Sequence, residues 1–508
     1  MHLRYLIIGL IFLSLVGCKN NKQQQNELEV TEPPVRAHQF EQLTSHGELI
    51  DYITRVDTMN DFISIEHVGK SVEGRRLPLV KITKDGAIND ELLTIFFFAQ
   101  QHGDEPSGKE GMQLLIDEFA RGRHKQWLEY ANILIMPQVN PDGGEKNNRR
   151  NANGTDLNRD HLVLNSPEVR AVHSVFQAYQ PEVTIDLHEY DPYSESWKEF
   201  GYLKDFDIQL GGLTNKNVHG DLKHLFYESA LPYVKDYVTE AGYSFFEYTL
   251  GNLPGGERLR HSTVDVNDGR QSFGILNNFS FIVEGKYGKD SVDQLEHRAK
   301  SQLRTAKGLI RFMVDNHGKV REVVSTGREK LNNARQGEKV AIRMHHVKGD
   351  KTLKYPLKSL ESGKDTTFHV EKFHTKVISM LDVKKPSAYL VPVEDEKLVN
   401  WMKRSYIDFH EYKPAKSHRI NQYVIEKIER QVDEGLENYY PEVDLQSYEQ
   451  PIEEGEYYAI PINQLRSNKI VTALEPQSML GLVNYDSFKY LLLENSKYPV
   501  LRVKKEYL

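Results

Sequence analysis

The run Leu92-Leu93-Thr94-Ile95-Phe96-Phe97-Phe98-Ala99 leads, one residue on, into Gln101-His102-Gly103-Asp104-Glu105. An almost unbroken apolar run of this length suits a strand buried on both faces, and such strands occur in sheets covered by helices above and below. Residues 133–137, 183–187 and 279–283 repeat the pattern. Helices are predicted between them: one over residues 111–119, and one opened by Ser166-Pro167-Glu168, with Ser at the N-cap and Pro at the first helical position. A third spans residues 297–314, where Leu303, Leu309 and Ile310 help to build an apolar face. The alternation predicts an α/β fold over residues 40–320, a mixed, mostly parallel twisted sheet with helices on both faces.

Beyond about residue 321 the segments become shorter and more polar. Strand-like stretches at residues 376–381 and 388–393 flank a helical patch at 396–402. Residues 321–508 therefore read as a β-rich accessory region, and no internal repeat is visible.

The 508 residues are 39% hydrophobic and 27% charged, an ordinary globular composition, and are long enough for two or three domains. The formal net charge is −8 and the Lys and Arg residues are dispersed, so a nucleic-acid partner is not expected. At the N-terminus, Met1-His2-Leu3-Arg4 is basic, and residues 5–16 form an apolar run of 12 residues that stops at Gly17-Cys18. That run falls short of the roughly 20 residues a membrane span needs and fits a secretory signal. Its ending, Leu15-Val16-Gly17-Cys18, resembles a bacterial lipoprotein signal, with Cys18 as the lipidated first residue of the mature chain. The expectation is a signal peptide over 1–18, a flexible polar tether over 19–39 stiffened at Pro33-Pro34, and a lipid-anchored protein of the bacterial cell envelope. Cys18 is the only cysteine, so the fold rests on its core rather than on an internal disulfide.

The chemistry sits where strands end. In open α/β sheets ligands bind beyond the carboxyl ends of the strands. His102 and Glu105 follow the first strand, and His188 closes the strand at 183–187. Two His and one Glu are a known ligand set for catalytic zinc, which keeps one position open. Asn140-Pro141-Asp142-Gly143 reads as a turn. The loop Arg149-Arg150-Asn151-Ala152-Asn153-Gly154-Thr155-Asp156-Leu157-Asn158-Arg159-Asp160 concentrates three Arg and three Asn beside the ligands. An Arg there can pair with a carboxylate or stabilise an oxyanion. Glu284, after the strand at 279–283, sits at the edge of a low-dielectric core, where burial raises a carboxyl pKa towards the range of a general base.

In this order, H-x-x-E, N-P-D-G, R-x-N-x-x-G-x-D-L-N-R, a further His and a strand ending in Glu resemble the zinc carboxypeptidase family, peptidase family M14, over about residues 40–320. The resemblance implies one Zn2+ per chain held by His102, Glu105 and His188, with Glu284 activating water and passing its proton to the leaving amine. It implies Arg149 as the group that polarises the scissile carbonyl, with Arg150 competing for that role. It implies Asn158 and Arg159 as the grip on the substrate's terminal carboxylate, and Asp156 as the partner that orients His102. The chain departs from the family at Asp104, where an Arg is usual, and in residues 258–270, which lack the expected active-site Tyr; His261 and Arg270 are the candidates to replace it.

The first reading is thus a metallocarboxypeptidase acting on peptides or cell-wall peptides. The alternative is an N-acyl amino acid amidohydrolase similar to the aspartoacylase and succinylglutamate desuccinylase group, which His102-Gly103-Asp104-Glu105 favours and Asn140-Pro141-Asp142-Gly143 does not. A surface-anchored binding protein with a silent site is the third, opposed by the intact ligand set and Glu284.

Overall fold

The structure, a computed structural model, describes residues 32–251, 259–350, 352–433 and 436–505. The signal peptide, Cys18 and most of the tether lie outside these residues. So does Arg258, the first residue of the stretch in which a Tyr was sought.

Eight strands form the main sheet. They are β1 (Ile63–Lys70), β2 (Arg76–Ile82), β3 (Leu93–Ala99), β4 (Ala131–Met136), β5 (Val183–Tyr190), β6 (Ile208–Gly211), β7 (Phe245–Glu247) and β8 (Phe279–Lys286). Their spatial order is β1-β2-β4-β3-β5-β8-β6-β7. β4, β3, β5 and β8 run parallel; β1 and β2 pair antiparallel at one edge, and at the other β6 pairs antiparallel with β8 and parallel with β7. Side chains alternate between faces with period two. Ile95, Phe97 and Ala99 enter one core, with the helices α1 (His46–Met59), α2 (Ser107–Ala120) and α6 (Leu295–Asp315). Phe96 and Phe98 enter a second core, under α4 (Pro167–Tyr179). Each Phe buried in this way contributes about 1.5–3 kcal/mol.

Several local readings change. The strands at 183–187 and 279–283 each continue, to Tyr190 and Lys286, so His188 and Glu284 lie within β5 and β8 rather than after them. The cause is their mutual pairing, which runs in register through Glu284–His188 to Lys286–Tyr190. Asn140-Pro141-Asp142-Gly143 is not a plain turn but opens a short helix, α3 (Pro141–Glu145), which the Asn140 side chain caps at the Gly143 amide. Ser166 stands at the N-cap of α4 without a side-chain capping bond; its own amide donates to Asp160 instead. Val35, in the stretch read as tether, is buried against Leu114, Leu295 and Ala299.

Position 320 falls inside α7 (His317–Asn332), and the first strand of the C-terminal region begins at Lys339. That region is built of antiparallel strands, the longest being His418–Asp433 paired with Leu436–Ser447. It does not stand apart. Trp401 and Leu398 of α8 (Glu396–Arg404) and Ile470 and Val471 of α9 (Ser467–Leu474) share the second core with Phe96, Phe98, Val172 and Phe176.

Candidate metal centre and active site

On β5 the residues facing the first core are Val183, Ile185 and Leu187, so Asp186 and His188 point together to the opposite side. By the same alternation Ile282 and Glu284 of β8 share that side, because Phe281 and Val283 enter the first core. The segment after β3 brings His102 and Glu105 to the same place. Its course is fixed by a close backbone approach: a Cβ on Gly103 would lie 2.1 Å from the carbonyl carbon of Gly143 and 2.4 Å from the amide nitrogen of Gly144. Only glycine allows this contact. It explains the pairing of His-Gly with Asn-Pro-Asp-Gly-Gly. Asn140 completes the junction by donating Nδ2 to the carbonyl oxygens of Gln101 and Arg149.

His102, Glu105 and His188 converge, all buried. His102 Nδ1 lies 2.7 Å from Glu105 Oε1, His188 Nδ1 2.9 Å from Glu105 Oε2, and the two Nδ1 atoms 3.2 Å from each other. The opposite nitrogens are backed by carboxylates: His102 Nε2 meets Asp156 Oδ1 at 3.1 Å and His188 Nε2 meets Asp186 Oδ1 at 2.9 Å. Each Nε2 thus has a carboxylate beside it and each Nδ1 faces the centre, the arrangement metal-bound histidines require. Burial pulls both rings down, but Glu105 and Asp156 raise His102, and Asp186 and Glu105 hold His188 well above its ordinary value. Burial opposes ionisation of Glu105 and Asp156 too, yet His102 and His188 keep Glu105, and His102 with Arg149 and Arg159 keeps Asp156, far below the usual range. Two imidazole nitrogens and one carboxylate at these spacings fit a single zinc ion.

Asp186 is a supporting residue that sequence reasoning missed. The signal was present in Asp186-Leu187-His188, since i and i+2 on a strand share a face. Behind it, Gln101 donates Nε2 to Asp186 Oδ2 at 2.8 Å and receives His161 Nε2 at 2.7 Å. A Cβ on Gly269 would lie 2.5 Å from Asp186 Oδ2, so α5 (Gly269–Gly274) seals this chain from the other side.

Arg149 lies against the ligands. It gives Nε and Nη2 to Asp156 Oδ2 at 3.1 and 3.0 Å, and its Nη1 is 3.2 Å from Glu105 Oε1 and 3.1 Å from His102 Nδ1. Its side chain is 42% exposed and so faces the cleft. Arg150 is exposed and donates to the Gly154 carbonyl, closing its own loop. Asn158 accepts the Gly269 amide at its Oδ1, which leaves its amide nitrogen to point elsewhere. Arg159 is solvent-accessible; burial works against its charge, but Asp156, Asp265 and Asp268 more than offset this.

Glu284 is buried beside this cluster, at the β8 position paired with His188 of β5. Burial pushes its carboxyl up to about 7, with Glu105 adding to the rise and His188 opposing it. Asp104 is half-buried, and burial together with Glu105 raises it.

The structure also supplies a tyrosine. Tyr248, 36 residues before Glu284 and outside the stretch searched, comes within electrostatic range of Glu284, Arg270 and Arg159. Burial, then Glu284, hold its phenol well above the ordinary value. His261, one of the two candidates to replace a Tyr, is instead stacked on Tyr227 and bonded to Glu247 through Nδ1. Arg270 does lie beside Tyr248, with its guanidinium 5.6 Å from the ring centre.

Residues 49–225 match the sequence profile of the zinc carboxypeptidase family. The chain is similar to carboxypeptidase 2 of Trichophyton rubrum, 24% identical over 483 residues that cover 89% of this chain and 85% of that one. It is also similar to the carboxypeptidase N catalytic chain of Homo sapiens, 25% identical over 305 residues, 51% of this chain and 65% of that one. Among solved structures, a carboxypeptidase A-type protein from Shewanella denitrificans OS-217 aligns with 20% identity and a TM-score of 0.42, covering 55% of this chain and 71% of that one.

Proposed function

With the chain placed in the zinc carboxypeptidase family by residues 49–225, we propose that it removes single residues from the free carboxyl end of peptides. The observation that carries this reading is the meeting of the His102–Glu105–His188 donor set with a buried, raised Glu284 on one face of β5 and β8. Zinc held by these ligands supplies Lewis-acid chemistry, polarising a carbonyl and acidifying water. Glu284 takes the proton of the attacking water and delivers it to the departing amine as the C–N bond breaks. Arg149, half exposed over Glu105, directs a guanidinium at the oxygen on which negative charge develops. Arg159 meets the terminal carboxylate of the substrate, assisted by the amide nitrogen of Asn158. Asp156 and Asp186 hold the two imidazoles in the tautomer that ligation needs.

The cellular address rests on sequence: Met1 to Arg4, the apolar run at 5–16 and Gly17-Cys18 support lipid anchoring in a bacterial envelope. Among the described residues no helix is long and apolar enough to cross a membrane. The peptide or cell-wall peptide substrate would then be met outside the cytoplasm. Labelling with a fatty-acid analogue, abolished by Cys18→Ala, is the expected result for the anchor.

The activity is tested with the full chain on N-blocked dipeptides. Zinc-dependent release of the last amino acid is expected, lost on chelation and restored by zinc, with kcat lowered about 10²- to 10⁴-fold in Glu284→Gln. Turnover confined to N-acyl amino acids, with none on dipeptides, would return the amidohydrolase reading.

A further inference from the structure

Gln209 of β6 pairs with Glu284 and Gly211 with Ile282, so these four positions share one face of the sheet. Gln209 is fully buried, and among the described residues neither Oε1 nor Nε2 has a hydrogen-bond partner. Over Gly211 lie the Tyr248 ring and Arg270; a Cβ there would be 2.9 Å from Tyr248 Cδ1 and 3.0 Å from Arg270 Nη1. Arg270 is buried as well. It donates Nη2 to Thr263 Oγ1 at 2.7 Å and to Asp268 Oδ2 at 2.9 Å, while Nε and Nη1 have no partner among the described residues. Buried polar groups without partners are costly and rare in a folded protein. Here two such atoms, on Gln209, stand at the position paired with Glu284, and two more, on Arg270, lie over Gly211 two residues along the same face; the reaction described above uses none of them.

We propose that Gln209 and Arg270 form the base of the recess that receives the side chain of the substrate's last residue, and that this residue is acidic. The inference rests on the carboxypeptidase reading and names its substrate class. Arginine has only donors, and three of the four unpartnered atoms are donor nitrogens, so the complementary ligand is an acceptor. A carboxylate satisfies them and meets the guanidinium charge. An apolar side chain would leave all four unpaired, and a lysine would set its ammonium against Arg270. Lys204, buried with its Nζ on the Thr249 carbonyl, adds a second cation on the Glu284 side. Arg159, exposed in the cleft, remains for the main-chain carboxylate, so a dicarboxylic terminal residue finds one cation for each of its anions. The Tyr248 ring covers Arg270 and is the group that gives way when a side chain enters.

The test is kcat/KM of the zinc-loaded full chain on N-blocked dipeptides differing only in the last residue: Glu, Asp, Gln, Leu or Lys. Glu or Asp should lead, with Glu over its isostere Gln by on the order of 100-fold. Arg270→Gln should cut that Glu/Gln ratio to roughly 10 or less, and Arg270→Lys should restore part of it. The ratio is taken within one preparation, so partial folding of a variant does not distort it. If Arg270→Gln is insoluble, the wild-type ranking and Gln209→Met, which should lower the same ratio, decide. Leu or Lys released by the wild type as fast as Glu overturns the acidic pocket and leaves the carboxypeptidase reading standing. Zinc-dependent release of no residue at all overturns that reading instead.

Discussion

Glu284 is held in a place that suits catalysis and opposes folding. Its carboxyl titrates near 7 against an ordinary 4.5, burial being the main cause. A carboxyl raised in the folded state binds its proton more tightly there, so its contribution is most favourable below pH 4.5 and is lost as pH rises to 7. In chelated protein at pH 8, Glu284→Gln should therefore raise stability by on the order of 1–3 kcal/mol, and the gain should vanish near pH 4.5. Urea unfolding of both proteins at the two pH values checks this; a variant no more stable than wild type at pH 8 would refute it. Residue identities at the site were largely legible, because His102, Glu105, His188 and Glu284 end or extend recognisable apolar runs. Asp186 was legible in principle from strand alternation. Gln209 and Tyr248 were not, since the excursion through β6 and β7 brings them in at the sheet edge by long-range pairing that no local pattern announces, and Arg270 was legible only as a candidate to replace a Tyr.

Between elements, the decisive contact is backbone on backbone. Gly103 rests on Gly143 and Gly144 at the start of α3, and the Gly103 amide donates to the Arg149 carbonyl at 3.3 Å. A methyl at 103 meets main-chain atoms that cannot rotate away, so α3, the Arg149 loop and the His102 turn would have to move together. Gly103→Ala is expected to weaken zinc binding by about 10- to 100-fold, as loss of ligand orientation generally does, even though no ligand is altered. Competition with a zinc chelator measures it, and unchanged affinity would show that the junction does not position the ligands. The strands themselves were predictable from apolar runs of β3, β4, β5 and β8. Their last residues were not, because polar side chains such as Glu189 are retained in the strand by pairing and by buried partners, here Arg298 and the Ser107 amide.

At the scale of the whole molecule, the C-terminal region reads in sequence as an accessory, but its packing makes it a wall of the main core. Trp401 is fully buried and donates Nε1 to the Leu162 carbonyl at 2.9 Å. Lys469 of α9 is buried, pulled down to about 7 by its surroundings, and donates to the His161 carbonyl at 2.9 Å. The His161 ring in turn supports Gln101, Asp186 and His188. Helices and strands after residue 333 thus cover one face of the sheet and brace the metal ligands from behind. A chain ending after Asn332 would expose the Phe96, Phe98 and Phe176 face to water. It should be insoluble or fail to retain zinc. In the full chain, Trp401→Ala should cost about 3–5 kcal/mol and lower the midpoint for both regions together in one transition, because the cavity opens in a shared core. Calorimetry with protease digestion distinguishes this from an appended module: two separable transitions, with residues 32–332 surviving as a zinc-binding fragment, would show that the regions fold independently.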